Sequence, residues 1–398
     1  MERFDAEVRN TRPVATERSG RERPKAKMRG KIMNELTKWV INKIEKEYKD
    51  DVALLIGIKG HSTDGDGHGE CFDFFVPATE RANELAETFI IDGIGHDLYP
   101  RSWERLENSV NLDDMALLLD KAIVLYARSR EDVERFEDCK KRMIQNLNKD
   151  AFVYGKALEY MDKALDIYRT MIFEEKLYRV RSEADCIHEC LSKAVAFLNH
   201  TYTESAIYSE NQAYNGEDEN RMYFCPQMKI VPDGFFANAR KLLEAQNVDE
   251  IKETVLNLLK TTRSFILERK PLVANCDSAS DSIRDTACAS DSKINFQELA
   301  DWYQELSLTW RRLRYFCKNN MVEKAYIDAC YLQEEFLYIA QEYKIAELNL
   351  LDSFDKENLS LLADRSNQLE KIIQDILAEH GIKINSYSSV KDFLSKRG

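Results

Sequence analysis

The chain has 398 residues, a net charge of −13, and 44% hydrophobic against 32% charged residues, enough length for two or three domains with cores of their own. Its acidic balance argues against duplex nucleic acid as a partner, because such binders need a basic face, and no apolar run approaches the ~20 residues of a membrane span. Nine cysteines without CxxC spacing read as reduced thiols and, with no signal-peptide pattern at the start, lead to the expectation of a soluble, cytoplasmic protein.

Residues 1–30 are rich in Arg, Glu, Lys and Pro with almost no aliphatic periodicity, which predicts a flexible basic tail unable to offset its ordering entropy. Ile32, Leu36, Val40, Ile41 and Ile44 then recur at helical spacing up to Tyr48, a helix that covers the first strand. That strand is the apolar run Val52–Ile58. Five of the fourteen glycines follow between Gly57 and Gly69, and a second strand runs from Cys71 to Val76. Thr79–Phe89 reads as a helix, Phe89–Pro100 as another apolar strand, Ala122–Tyr126 as a further one, and Arg130–Leu147 as a helix. These elements form a small domain over 31–148.

Beyond residue 150 the strand pattern nearly vanishes. Ala151–Ile172, Tyr178–Leu198, Phe235–Ala245, Asp249–Glu268, Phe296–Asn319, Val322–Tyr343 and Asn358–His380 carry helical periodicity, so the C-terminal two thirds is expected to be helical bundles. A helical domain is assigned to 149–270, a Ser-, Asp- and Ala-rich linker to 271–293, and a C-terminal bundle to 294–398. Thr203–Pro232 reads as a surface excursion.

The chemistry concentrates in the glycine-rich loop and the strands around it. Glycine lets backbone N–H groups approach an anion without a Cβ in the way and permits the geometry of an anion-binding nest. By strand alternation Asp73 shares a face with Cys71 and Phe75, and Asp97 with Gly95 and Tyr99. If the two strands are neighbours, Asp73 and Asp97 meet above the loop and hold a divalent cation against a nucleotide's phosphates.

This order of parts (strand, Gly-Ser loop, helix, strand with Asp-x-Asp, then a third Asp on a further strand) resembles that of the polymerase-β-like minimal nucleotidyltransferases, including the aminoglycoside nucleotidyltransferases. Pro77-Ala78-Thr79-Glu80-Arg81, the run Asp92 to Arg105 and Val124-Leu125-Tyr126-Ala127-Arg128-Ser129 are similar to bacterial nucleotidyltransferase-domain proteins. The resemblance covers residues 33 to 145. It implies an α+β fold, a small mixed sheet with helices followed by C-terminal helical bundles, and transfer of a nucleotidyl group from an NTP to a hydroxyl of a small-molecule or protein acceptor. It further implies that Gly60, His61 and Ser62 hold the β/γ-phosphates, that Asp73 binds Mg²⁺ or Mn²⁺, and that Asp97 binds a second metal or takes the acceptor's proton.

The chain departs from that family where Gly-Ser becomes Gly60-His61 with Ser62 one place later, and where Asp-x-Asp becomes Cys71-Phe72-Asp73. Cysteine is a poor ligand for Mg²⁺, so Asp64, Asp66 and Glu70 stand as accessory carboxylates, with His68 and Cys71 beside them. The missing carboxylate motivates the alternative of a catalytically impaired member serving as a ligand-sensing or interaction module. His61, His68 and His96 with Cys71 also raise a transition-metal site, although their spacing fits contact with phosphate or substrate better. Cys186-Ile187-His188-Glu189-Cys190 reads as thiols in a packed core, since His188 faces away from both cysteines on a helix. The arginines of Trp310–Tyr315 read as the solvated basic face of an amphipathic helix, with grip on an anionic partner as the rival. P-loop, G-x-S-x-G and HExxH patterns are absent, which removes the simplest P-loop, hydrolase and zinc-peptidase readings.

Overall fold

The computed structural model describes residues 35–58, 72–112, 116–203, 228–271 and 295–397. The 1–30 tail, the glycine loop, most of the 203–232 excursion and nearly all of the 271–293 linker lie outside the described residues.

In chain order come α1 (Glu35–Lys43) with a π-helical continuation (Ile44–Tyr48), β1 (Val52–Ile58), β2 (Phe72–Pro77), a 3-10 turn (Glu80–Leu85), β3 (Glu87–Ile91), β4 (Ile94–Pro100), α2 (Trp103–Ser109), α3 (Ala116–Lys121) and β5 (Ala122–Ala127). Helices then dominate: α4 (Arg130–Leu147), α5 (Asp150–Met171), α6 (Leu177–Leu198), α7 (Phe235–Glu244), α8 (Val248–Leu267), α9 (Phe296–Glu305), α10 (Ser307–Lys318), α11 (Val322–Glu342) and α12 (Leu359–Glu379). The chain returns to the sheet with β6 (Ser386–Tyr387) and ends in α13 (Val390–Arg397). The class is α+β: a mixed sheet followed by helices.

The sheet order is β5-β1-β2-β4-β3-β6. All seven residues of β1 are buried, as expected of an apolar strand with antiparallel partners on both sides, β2 and β5. β2 and β4 run parallel, with Phe74 opposite Tyr99 and Phe75 opposite Pro100. Side-chain caps begin several helices where the sequence changes period: Ser129 accepts from Asp132 N–H at the start of α4, and Asn247 from Glu250 N–H at the start of α8.

Three segments differ from the sequence reading. Thr79–Phe89 is not a helix; after one 3-10 turn, Glu87–Ile91 extends and pairs with both β4 and β6, because Thr88, Phe89 and Ile90 suit a pleated, half-buried surface. Phe89–Pro100 is a hairpin rather than one strand. Asp92 and Gly93 both have positive φ, 51° and 73°, the two left-handed residues of a tight Asp-Gly hairpin turn. Phe296–Asn319 breaks at Leu306 into α9 and α10, where the chain bends over β4. A Cβ built on Gly95 would lie 2.2 Å from the Gln304 carbonyl oxygen and 2.9 Å from that of Glu305, so only glycine permits this approach.

One face of the sheet packs through Leu54, Ile56, Phe74 and Val76 into a buried cluster continuous with α4, α5, α6 and α8. The other face carries Leu55, Phe75, Phe89 and Leu98 beneath Leu36, Val40 and Ile44, with Phe393 of α13 inserted among them. A third cluster joins α9–α12 and reaches the sheet at Ile90. Of the arginines following Trp310, Arg311 is exposed, as a solvated basic face requires, and Arg312 and Arg314 are half-buried, but all three are engaged within the chain. Arg311 donates to the Asp92 carbonyl at 2.7 Å, Arg312 makes a two-pronged contact with the buried Asp328, and Arg314 pairs with Glu370. They tie α10 to the hairpin turn and to its neighbouring helices. Cys186 and Cys190 are half-buried; Cys190 packs against the core cluster as expected, whereas Cys186 donates to Glu334 at 2.5 Å. His188 points the other way, against Phe235.

Candidate functional site

Asp73 owes its position to an irregularity in β2. Ile56 pairs with Phe74 while Gly57 pairs with Phe72, so Asp73 is the extra residue of a bulge. The bulge turns it away from the face expected from simple alternation. Phe75 packs into the cluster under α1, whereas the Asp73 carboxylate accepts a bond from the Tyr99 hydroxyl at 3.4 Å, and Tyr99 packs on the opposite cluster. Asp97 does share its face with Gly95 and Tyr99. It accepts from Thr88 Oγ1 at 3.1 Å across the hairpin.

The two aspartates therefore lie on one face of adjacent parallel strands, close enough for the charge of Asp97 to act on Asp73. Burial pushes the Asp73 carboxyl up to about 6, with Asp97 adding to the rise and Arg101 and the Tyr99 bond opposing it. Asp97 is raised by burial, against the Thr88 bond, with Asp301 of α9 contributing. Tyr99 is held above the usual phenol range by burial and by the charge of Asp73. A carboxyl poised near neutrality, beside a second one, is suited to binding a cation or to accepting a proton.

Gly60, His61 and Ser62, and the accessory Asp64, Asp66, His68, Glu70 and Cys71, lie outside the described residues. His96 is on the other sheet face from Asp97, stacked on Phe89 at 5.5 Å, and burial lowers it to about 4. It is a half-buried histidine packed on the Phe89 side of the sheet and takes no part in a ligand set with Asp97. Among the described residues no group of three or more His, Cys, Asp and Glu gathers as a metal cluster.

Two residues beside the aspartates received no role from the sequence. Arg101, only 3% exposed, lies over the Phe74 ring at 5.0 Å and donates to the Tyr99 hydroxyl at 3.3 Å. Thr88 orients Asp97. The Tyr-Pro-Arg run was visible, but nothing local in it shows that the guanidinium folds back toward Asp73.

No family model matches the chain, and no curated protein matches it. Among solved structures, a nucleotidyltransferase-like protein from Exiguobacterium sibiricum superposes with a TM-score of 0.32 at 10% identity, over 57% of this chain and 77% of that one. With so slight a likeness, any assignment of chemistry rests on the residues described above.

Proposed function

We propose that this chain is a metal-dependent nucleotidyltransferase that moves a nucleotidyl group from an NTP to a hydroxyl of a small-molecule or protein acceptor, in the cytoplasm. The observation that carries the reading is the pair Asp73 and Asp97 on one face of neighbouring strands, with the bulge aiming Asp73 inward and the charge of Asp97 felt there. Two carboxylates supply the hard oxygen donors that Mg²⁺ or Mn²⁺ takes. Bound there, such a cation would neutralise phosphoryl oxygens and orient the triphosphate. Asp73, raised by burial, would ionise on meeting a cation, its position held by Tyr99. Asp97, oriented by Thr88, would share the cation or accept the acceptor's proton. The loop residues Gly60, His61 and Ser62 would hold the β/γ-phosphates. The described cysteines, Cys139, Cys186, Cys190, Cys317 and Cys330, are all free thiols, in keeping with a reducing compartment. No helix among the described residues is long and apolar enough to cross a membrane.

A second reading, a catalytically impaired ligand-sensing or interaction module, is favoured by Cys71 where the resembled family carries a carboxylate. Thermal shift with ATP, GTP, CTP and UTP, each with and without Mg²⁺ or Mn²⁺, separates the two. A nucleotidyltransferase binds at least one NTP more tightly with metal, and Asp73→Asn or Asp97→Asn removes that increment without unfolding the protein. Nucleotide binding indifferent to metal in the wild type would overturn the enzymatic reading. Cys71→Asp, which restores the second carboxylate, is expected to raise metal affinity.

A further inference from the structure

The described arginines that this fold buries deeply are satisfied, with one exception. Arg181, 2% exposed, donates to the carbonyl oxygens of Leu351, Phe354 and Ala245 at 2.6, 3.2 and 3.3 Å. Arg101, just as buried, makes one side-chain bond among the described residues, the 3.3 Å contact to the Tyr99 hydroxyl, and its Nε has no acceptor. Its backbone is fixed, since its N–H donates to the Phe75 carbonyl at 2.8 Å, and its guanidinium packs against the neighbouring rings of Phe74 and Tyr99, 5.0 and 5.7 Å from their centroids. A buried cationic N–H with no acceptor is costly, so the arrangement is one prepared for an anion that arrives with a ligand.

We propose that Arg101 is a phosphoryl-anion-binding residue on the Asp73 face of the sheet. The guanidinium offers Nε and an Nη as a planar fork that matches two oxygens of a phosphate, and the aromatic rings hold that plane in place. That the anion is a phosphoryl group rests on the nucleotidyltransferase reading; that an anion binds at Arg101 does not. The phosphate belongs either to the NTP or to a phosphorylated acceptor.

The test is calorimetry on the full chain in EDTA, so that no metal contributes, with pyrophosphate, NTP and the simple monoester glycerol 3-phosphate as probes. The wild type is expected to bind at least one of them, and Arg101→Met to weaken that binding by about 10- to 100-fold, with Arg101→Lys in between because it keeps the charge and loses the fork. Asp73→Asn, which removes the neighbouring negative charge, is expected to tighten metal-free anion binding even as it abolishes metal-dependent NTP binding. Preference for pyrophosphate and NTP identifies the nucleotide as the source, preference for the monoester an acceptor. Should Arg101→Met fail to fold, Arg101→Lys and Asp73→Asn carry the same comparison. Equal affinities in wild type and folded variants, or no binding of any probe by the wild type, would overturn the proposal. Metal-free binding that depends on Arg101, in a protein whose NTP binding ignores metal, would leave the anion site standing and remove the nucleotidyltransferase reading alone.

Discussion

Gly95→Ala isolates the contact that seats the C-terminal helices on the sheet. The new methyl would meet the Gln304 carbonyl oxygen at 2.2 Å, Ser307 Oγ at 2.7 Å and the Glu305 carbonyl oxygen at 2.9 Å, where ordinary contact begins at 3.4 Å. Ser307 can rotate away, but two of the three obstacles are backbone atoms at the α9–α10 bend. That bend is anchored by Gln304, whose side-chain oxygen accepts from the Asn385 N–H, and by Arg311 on the Asp92 carbonyl. Relief therefore requires moving the helix pair off β4 by roughly 1 Å, and overpacking of this kind costs about 1–3 kcal/mol. Urea unfolding followed by tryptophan fluorescence reads it directly, because Trp302 lies on α9 and the fully buried Trp310 on α10. The expected result is a lower midpoint with changed native-state emission, and weakened binding at the cation site proposed at Asp97, two residues along the same face. An unchanged midpoint would mean that the close approach of α9 to β4 is not a tight one, and the reasoning would fail.

Asp73 carries a pH signature. Its folded carboxyl sits at about 6 against an ordinary value of 3.8 because burial disfavours the charge, so the unfolded chain ionises first as pH rises and native stability falls between about pH 4 and about pH 6. Without metal, Asp73→Asn should match the wild type at the acid end and exceed it above about pH 6 by up to about 3 kcal/mol; urea titrations showing a constant or reversed difference would contradict this. Phe393, fully buried against Trp39, Phe89 and Tyr387 with ring centroids at 4.8, 4.6 and 5.0 Å, fastens the C-terminal segment to the sheet. Phe393→Ala should cost about 3–5 kcal/mol in chemical denaturation, and a loss under about 1 kcal/mol would show that α13 is dispensable to the fold.

Helix formation is local, and so the helices were legible from the spacing of apolar residues. Arg130–Leu147 agrees with its expected limits, and α5, α6, α8, α11 and α12 agree to within a residue or two. β1 was equally plain, a seven-residue apolar run between a polar turn and a glycine loop. Strand pairing is not local. The adjacency of β2 and β4 joins residues more than twenty positions apart, and the bulge that turns Asp73 toward Tyr99 exists only because β1 opposes β2 with a register shift. The candidate aspartates could be named from the sequence as conditional neighbours; their common face was decided by pairing. Arg101 illustrates the limit most clearly, since its charge is visible in the sequence, while its burial against Phe74 and Tyr99 with an unsatisfied Nε arises from the parallel β2–β4 contact. The return of β6 and α13 to the sheet is likewise a tertiary event: two strand residues and a short, polar helix carry too little periodicity to declare themselves, and they are ordered by the pocket that Trp39 and Phe89 form for Phe393. What apolar spacing dictates along one segment the sequence determined by itself; what depends on which surfaces meet, including the chemistry of the site, was decided by the packing of segments distant in the chain.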